Sequence, residues 1–169
     1  MKKIAVLIED YFDEFELIYP YYRLKEAGFE SILIGPENRT YHSKFGLEIK
    51  AEKSINDINF NEFDGVVIPG GYAPDRLRRH EKIIEFVKNM FDKSNLVAAI
   101  CHAGWVLASA KVLNGLTVTG FYGIKDDLKN AGAKYEDREV VVDGNVITSR
   151  SPSDLPAFLK EIIKFLNIQ

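Results

Sequence analysis

The chain carries one cysteine, one tryptophan, two methionines and three histidines in 169 residues. A lone cysteine cannot close an intramolecular disulfide, and without a second thiol or a close histidine pair there is no zinc-ligand pattern. No apolar run approaches the roughly 20 residues of a membrane-spanning helix. The opening MKKIAVLIEDYF turns acidic too early for the apolar core of a signal peptide. Neither charge dominates: 22 basic and 25 acidic residues are interleaved for a net −3, which argues against a nucleic-acid or anionic-membrane binder. The dinucleotide fingerprint G-x-G-x-x-G is also missing. These absences lead us to expect a cytoplasmic protein with no metal and no cofactor, working on small or neutral partners.

What the sequence does contain is an alternation of apolar strands and amphipathic helices. Buried-type strands read at Lys3 to Ile8, Ser31 to Ile34, Gly65 to Ile68, Leu96 to Ile100 and Leu116 to Thr119. Helical spacing follows the first strand as far as Gly28, runs among charges from Leu77 to Phe91, and returns at 103–110, 124–131 and from about Ser153. A polar stretch, 35–59, carries a weak alternation at Leu47 to Lys50 that predicts a small side hairpin, and Val140 to Ile147 predicts another around Asp143-Gly144. Alternation of this kind implies a mostly parallel sheet, because each parallel connection needs a crossover long enough to hold a helix. The expectation is one α/β domain over residues 1–169, a flavodoxin-like three-layer sandwich with helices on both faces.

In such sheets, sites form at the carboxyl ends of the strands. Three features fall there: an acidic turn after Ile8, Gly70-Gly71 after Ile68, and Cys101-His102 after Ile100. Cys101 sits where strand gives way to helix, with small neighbours Ala99, Ala103 and Gly104 that permit a tight nucleophile elbow. Free N–H groups at a helix start favour thiolate over thiol, so a lowered Cys101 pKa is expected. The bland alternative is a buried structural cysteine. Gly70 and Gly71 are candidate oxyanion donors through their backbone N–H groups, although glycine pairs more often only make turns. The imidazoles are His42, His80 and His102, and none lies beyond position 102, which excludes a triad with a downstream histidine. Among Glu9, Asp10, Asp13, Glu14 and Glu16, a carboxylate reaching the thiol could share its proton.

The segments FELIYPYYRLKEAG, DGVVIPGGYAPDRLRR, AAICHAGWVLASA, GIKDDLKNAGAKY and EVVVDGNVITSRSPSDLPAF resemble the PfpI family of intracellular proteases. That family belongs to a superfamily shared with the class I glutamine amidotransferases and the parkinsonism-associated deglycase. The resemblance places the nucleophile on Cys101, its adjacent histidine on His102 and the oxyanion backbone on Gly71 and His102. It also places a catalytic carboxylate donated across a subunit interface on Asp75, and implies that Asp13 faces the thiol. Glutamate is the commoner family residue at both aspartate positions, and glycine is common where this chain has Ala103. The resemblance implies a cysteine hydrolase acting on peptide bonds, or on glyoxals and glycated carbonyl compounds. It further implies a homo-oligomer, a dimer or a hexamer built from dimers. The competing expectation is a stress-response redox sensor or chaperone in which Cys101 is oxidised.

Overall fold

The computed structural model describes residues 1–168. Its strands, in chain order, are β1 (Lys3–Leu7), β2 (Glu30–Gly35), β3 (Thr40–His42), β4 (Glu48–Lys50), β5 (Lys53–Ser54), β6 (Gly65–Ile68), β7 (Leu96–Ile100), β8 (Thr117–Val118), β9 (Lys134–Tyr135), β10 (Val141–Asp143) and β11 (Val146–Ser149). The α-helices are α1 (Glu14–Glu26), α2 (Ala73–Leu77), α3 (Glu81–Asp92), α4 (Gly104–Ser109), α5 (Lys125–Asn130) and α6 (Leu155–Ile168). Seven strands form one sheet in the order β10-β11-β7-β6-β1-β2-β5, parallel except where β10 meets β11.

Both faces of this sheet are covered, so its central strands are continuously apolar and their side chains divide by parity. Ala5, Leu7, Val66, Ile68, Val97 and Ala99 pack on one side, with Phe86 and Val87 of α3 and Val106 and Leu107 of α4. Ile4, Val6, Val67, Ala98 and Ile100 point to the other, against Leu17 and Leu24 of α1 and Phe158 and Ile162 of α6. The result is the expected flavodoxin-like α/β sandwich. No helix among the described residues is long and apolar enough to cross a membrane.

Three local readings are corrected. The amphipathic run after Gly71 is two helices, α2 and α3, parted at 78–80. The strand read at Leu116 to Thr119 lies outside the main sheet, where β8 pairs only with β9. In the β10–β11 hairpin Asp143 pairs with Val146, so the two-residue turn is Gly144-Asn145, with Gly144 at φ 58°. The side hairpin is present as antiparallel β3 and β4.

Strands β7, β6 and β1 are neighbours, and their carboxyl ends carry Cys101, the glycine pair and the acidic turn. Backbone bonds lace the two loops at β1 and β6 together: Tyr72 N–H donates to Tyr11 O at 2.9 Å and Asp13 N–H to Gly70 O at 3.3 Å. The side hairpin is fastened to the same region. Tyr11 N–H donates to His42 O at 2.7 Å and Lys44 N–H to Phe12 O at 3.0 Å.

Tyr41 anchors that hairpin from within, fully buried, its hydroxyl bonded to the Glu37 N–H and carbonyl. Its ring lies where a Cβ on Gly35 would fall, 2.6 Å from Cε2. Gly35→Ala should therefore displace Tyr41, cost about 1–3 kcal/mol in urea denaturation, and speed proteolysis within residues 40–50. Unchanged stability and protection would show that the hairpin is held by its loop bonds alone.

Candidate active site

Cys101 adopts φ 63°, a left-handed conformation that non-glycine residues rarely take. That geometry follows from crowding at the end of β7. Cys101–Ala103 form a single 3-10 turn before α4, and Phe121 N–H donates to the Cys101 carbonyl at 3.0 Å. Gly104 at the next turn packs closely on α5, since a Cβ there would sit 2.7 Å from Leu128 Cδ2. Gly70 separates the sulfur-bearing turn from α1: a Cβ on it would meet Glu16 Oε1 at 2.4 Å and Cys101 Cβ at 2.6 Å. Gly71, at φ 75°, has Asp13 N and Tyr11 O both 2.6 Å from the same point, so no side chain fits.

The sulfur receives backbone N–H groups from Gly71 and His102. These are the two backbone donors directed at the sulfur. Gly70 is not a third, because its N–H is spent on Glu16 Oε1 at 3.0 Å. This corrects the reading of Gly70 as a donor; its part is to allow close approach.

The carboxylate against the thiol is Glu16, not Asp13. Glu16 is fully buried, and its Oε2 has no hydrogen-bond partner in the protein. Burial first, and then the Asp13 charge, push its carboxyl up to about 8, so it holds its proton at neutral pH. Burial and the Glu16 charge push the Cys101 thiol up to about 12, outweighing the two N–H donors. The expected lowering of the thiol is overturned for that physical reason: the helix start favours the thiolate less than desolvation and a facing carboxylate disfavour it. With Glu16 protonated the repulsion disappears, and the pair is poised to pass one proton between oxygen and sulfur.

Asp13 is also buried but serves as the N-cap of α1, its Oδ1 accepting the Glu16 N–H at 3.1 Å. Its Oδ2 pairs with Lys44 Nζ at 2.6 Å. Its effect on the sulfur is therefore electrostatic and secondary. His102 Nδ1 lies 3.2 Å from Sγ, and its ring stacks on Phe121 with centroids 4.5 Å apart. Burial and then Lys44 lower the His102 pKa, so the imidazole is neutral. Within one chain Asp75 does not reach this constellation: its side chain is half exposed and pairs with Arg79 one turn along. His80 is likewise engaged elsewhere, on Glu9 Oε2 at 3.0 Å.

Around Cys101 lies a cavity of about 430 Å³ whose walls include Lys44, Phe45, Tyr72, Phe121 and Pro152. Sequence reasoning singled out none of these five, nor Glu16 in particular. A signal for Glu16 existed. It occupies the apolar stripe of α1 with Leu17, Pro20 and Leu24, where a charged residue has no business unless it faces a partner. Lys44 carried no such signal, because the polar stretch around it has no periodicity. Among the described residues no group of three or more histidine, cysteine or acidic side chains could hold a metal ion.

The description of the DJ-1/PfpI family matches residues 2–165. The chain is 45% identical over 164 residues to the deglycase PfpI of Pyrococcus furiosus, covering 97% of this chain and 99% of that one. It is 41% identical over 168 residues to general stress protein 18 of Bacillus subtilis, covering 98% of each. A crystal structure from Anabaena variabilis, a two-domain protein with DJ-1/ThiJ/PfpI-like and ferritin-like domains, superposes with a TM-score of 0.96 at 44% identity. That match covers 99% of this chain and 48% of the other, so this chain spans about half of that protein.

Glu16→Gln removes the ionisable group facing the sulfur while keeping a donor. The midpoint of iodoacetamide alkylation against pH should then move down by about one unit or more. Asp13→Asn should move it less, because the Asp13 charge is already met by Lys44. An unmoved midpoint in Glu16→Gln would mean that the thiol does not feel this carboxyl.

Proposed function

The chain belongs to the DJ-1/PfpI family, and from that premise we propose that it is a cysteine-dependent enzyme whose Cys101 attacks reactive carbonyl carbon, in α-oxoaldehydes and in their adducts on other molecules. The observation that carries this reading is the sulfur's setting: N–H donors from Gly71 and His102 on one side, a protonated Glu16 on the other. As Sγ adds to an aldehyde carbon, negative charge develops on the carbonyl oxygen, and the two N–H groups are placed to receive it. Glu16 and neutral His102 are the groups that move protons to and from the adduct. An aldehyde accepts a thiol without expelling a leaving group, which suits a site whose acid is a single carboxyl.

Peptide hydrolysis asks for more. The departing amine must be protonated by an imidazole that a third group orients, and among the described residues no carboxylate bonds to His102. Asp75 would supply one only from a second copy of the chain, in a dimer or a hexamer built from dimers. The deglycase name of the P. furiosus relative agrees with the carbonyl reading. A redox-sensor role is the second reading, favoured by the likeness to general stress protein 18.

Methylglyoxal turnover should be measurable in the wild type and abolished by Cys101→Ala; activity that survives would end the cysteine mechanism. If mild peroxide instead adds two oxygens to Cys101 in intact-mass spectra while no carbonyl substrate is turned over, the sensor reading takes its place. For a site shared between subunits, mixed oligomers of Cys101→Ala and Asp75→Ala subunits should regain part of any peptidase activity that the wild type shows and each variant lacks, because one interface then joins an intact thiol to an intact carboxylate. No recovery in confirmed mixed oligomers would remove Asp75 from the site.

A further inference from the structure

Lys44 is the sole cation among the side chains that line the Cys101 cavity. Its backbone is fixed by the bond to Phe12 O, and the preceding Ser43 hydroxyl bonds to Glu14, so the ammonium is delivered by a held segment rather than a loose loop. Its Nζ is 2.6 Å from buried Asp13, which takes one of three donor directions and leaves two. The Lys44 side chain is 29% exposed against 4% for Asp13, and both residues line the cavity. Glu16, Cys101 and His102 belong to the same lining, and each feels the Lys44 charge.

Building on the carbonyl reading above, we propose that Lys44 binds the oxygen on the carbon next to the one that Cys101 attacks, and so selects 1,2-dicarbonyl substrates over isolated carbonyls. The chemistry gives that oxygen a charge to be held. Sγ adds to the aldehyde carbon C1 and a proton goes to its oxygen, forming a hemithioacetal. The C1 proton then leaves to a base of the site and one returns to C2, so C1 is oxidised to the thioester level while the C2 ketone is reduced to an alcohol. No external oxidant is needed. Water cleaves the thioester, releasing a 2-hydroxycarboxylate and restoring the thiol. When the C1 proton is absent, the electron pair rests largely on the C2 oxygen, and the two unspent Lys44 donors are the charged donors this cavity offers it. Phe45 and Phe121 offer only ring faces or edges, the hydroxyls of Tyr72 and Ser151 are neutral, and the backbone donors are engaged at C1.

The test compares wild type, Lys44→Met, Lys44→Arg and the double variant Lys44→Met/Asp13→Asn. The double variant avoids stranding a buried aspartate and is checked for native folding by circular dichroism. Two ratios are read: kcat/KM for methylglyoxal over that for p-nitrophenyl acetate, and the alkylation rate with iodoacetate over that with iodoacetamide. Losing a charge-assisted hydrogen bond should lower each ratio about 10-fold or more in both neutral variants, and Lys44→Arg should recover part of it. The alkylation ratio needs no turnover, so it reads oxyanion binding by Lys44 apart from the carbonyl reading. Unchanged ratios with methylglyoxal turnover intact in the wild type would overturn the role of Lys44 and leave that reading standing. A wild type with no methylglyoxal turnover would overturn both.

Discussion

A carboxyl group with no exposure to solvent, set against a nearly buried thiol, is the constraint on which the site depends. Two such groups cannot both ionise without water, so one proton has to remain between them. Everything close by serves to keep them together. Gly70 is a glycine because any side chain would part them, and its N–H holds one Glu16 oxygen while the other is left unpaired. The left-handed backbone at Cys101 turns the sulfur out of the strand line toward that carboxyl. Strain of this kind persists only where the surroundings over-determine it. Here they do so through the Phe121 bond to the Cys101 carbonyl and the packing of Gly104 under Leu128.

The second acid solves a different problem. Asp13 must be buried because it caps the helix that carries Glu16, yet a bare buried carboxylate would be costly and would raise Glu16 further. Lys44 answers that cost from another element, the side hairpin, whose own position is set by buried Tyr41 and by backbone bonds to the Tyr11–Phe12 segment. The hairpin is therefore part of the site's electrostatics although it adds no strand to the central sheet.

The fold was legible because its signals are local and repeated. Strands buried on both faces read as continuous apolar runs, and the helices between them fix the parallel connection. Cys101 and His102 were legible for the same reason, since a polar pair after LVAAI marks a strand end. Gly70 and Gly71 both stood out at the strand end, but Gly70's N–H is taken by Glu16; sequence shows that a backbone can come close but not which N–H will be free. Asp13 and Glu16 were confused because both follow the first strand within a single turn of helix. Which of them faces the sulfur depends on the rotation of α1, and the buried stripe Glu16-Leu17-Pro20-Leu24 held that information. Lys44 lay beyond reach, since a residue in a polar stretch acquires its role only from where the hairpin folds back.

Charge accounting in the cavity links these parts to chemistry. Asp13 and Lys44 cancel, His102 is neutral, and Glu16 holds its proton below about pH 8. The one charge left without a counterion in the reactive form is the thiolate, itself nearly buried beside Glu16. Such an anion gains most by adding to a neutral electrophile that spreads its charge onto oxygen, which is the chemistry proposed for this site.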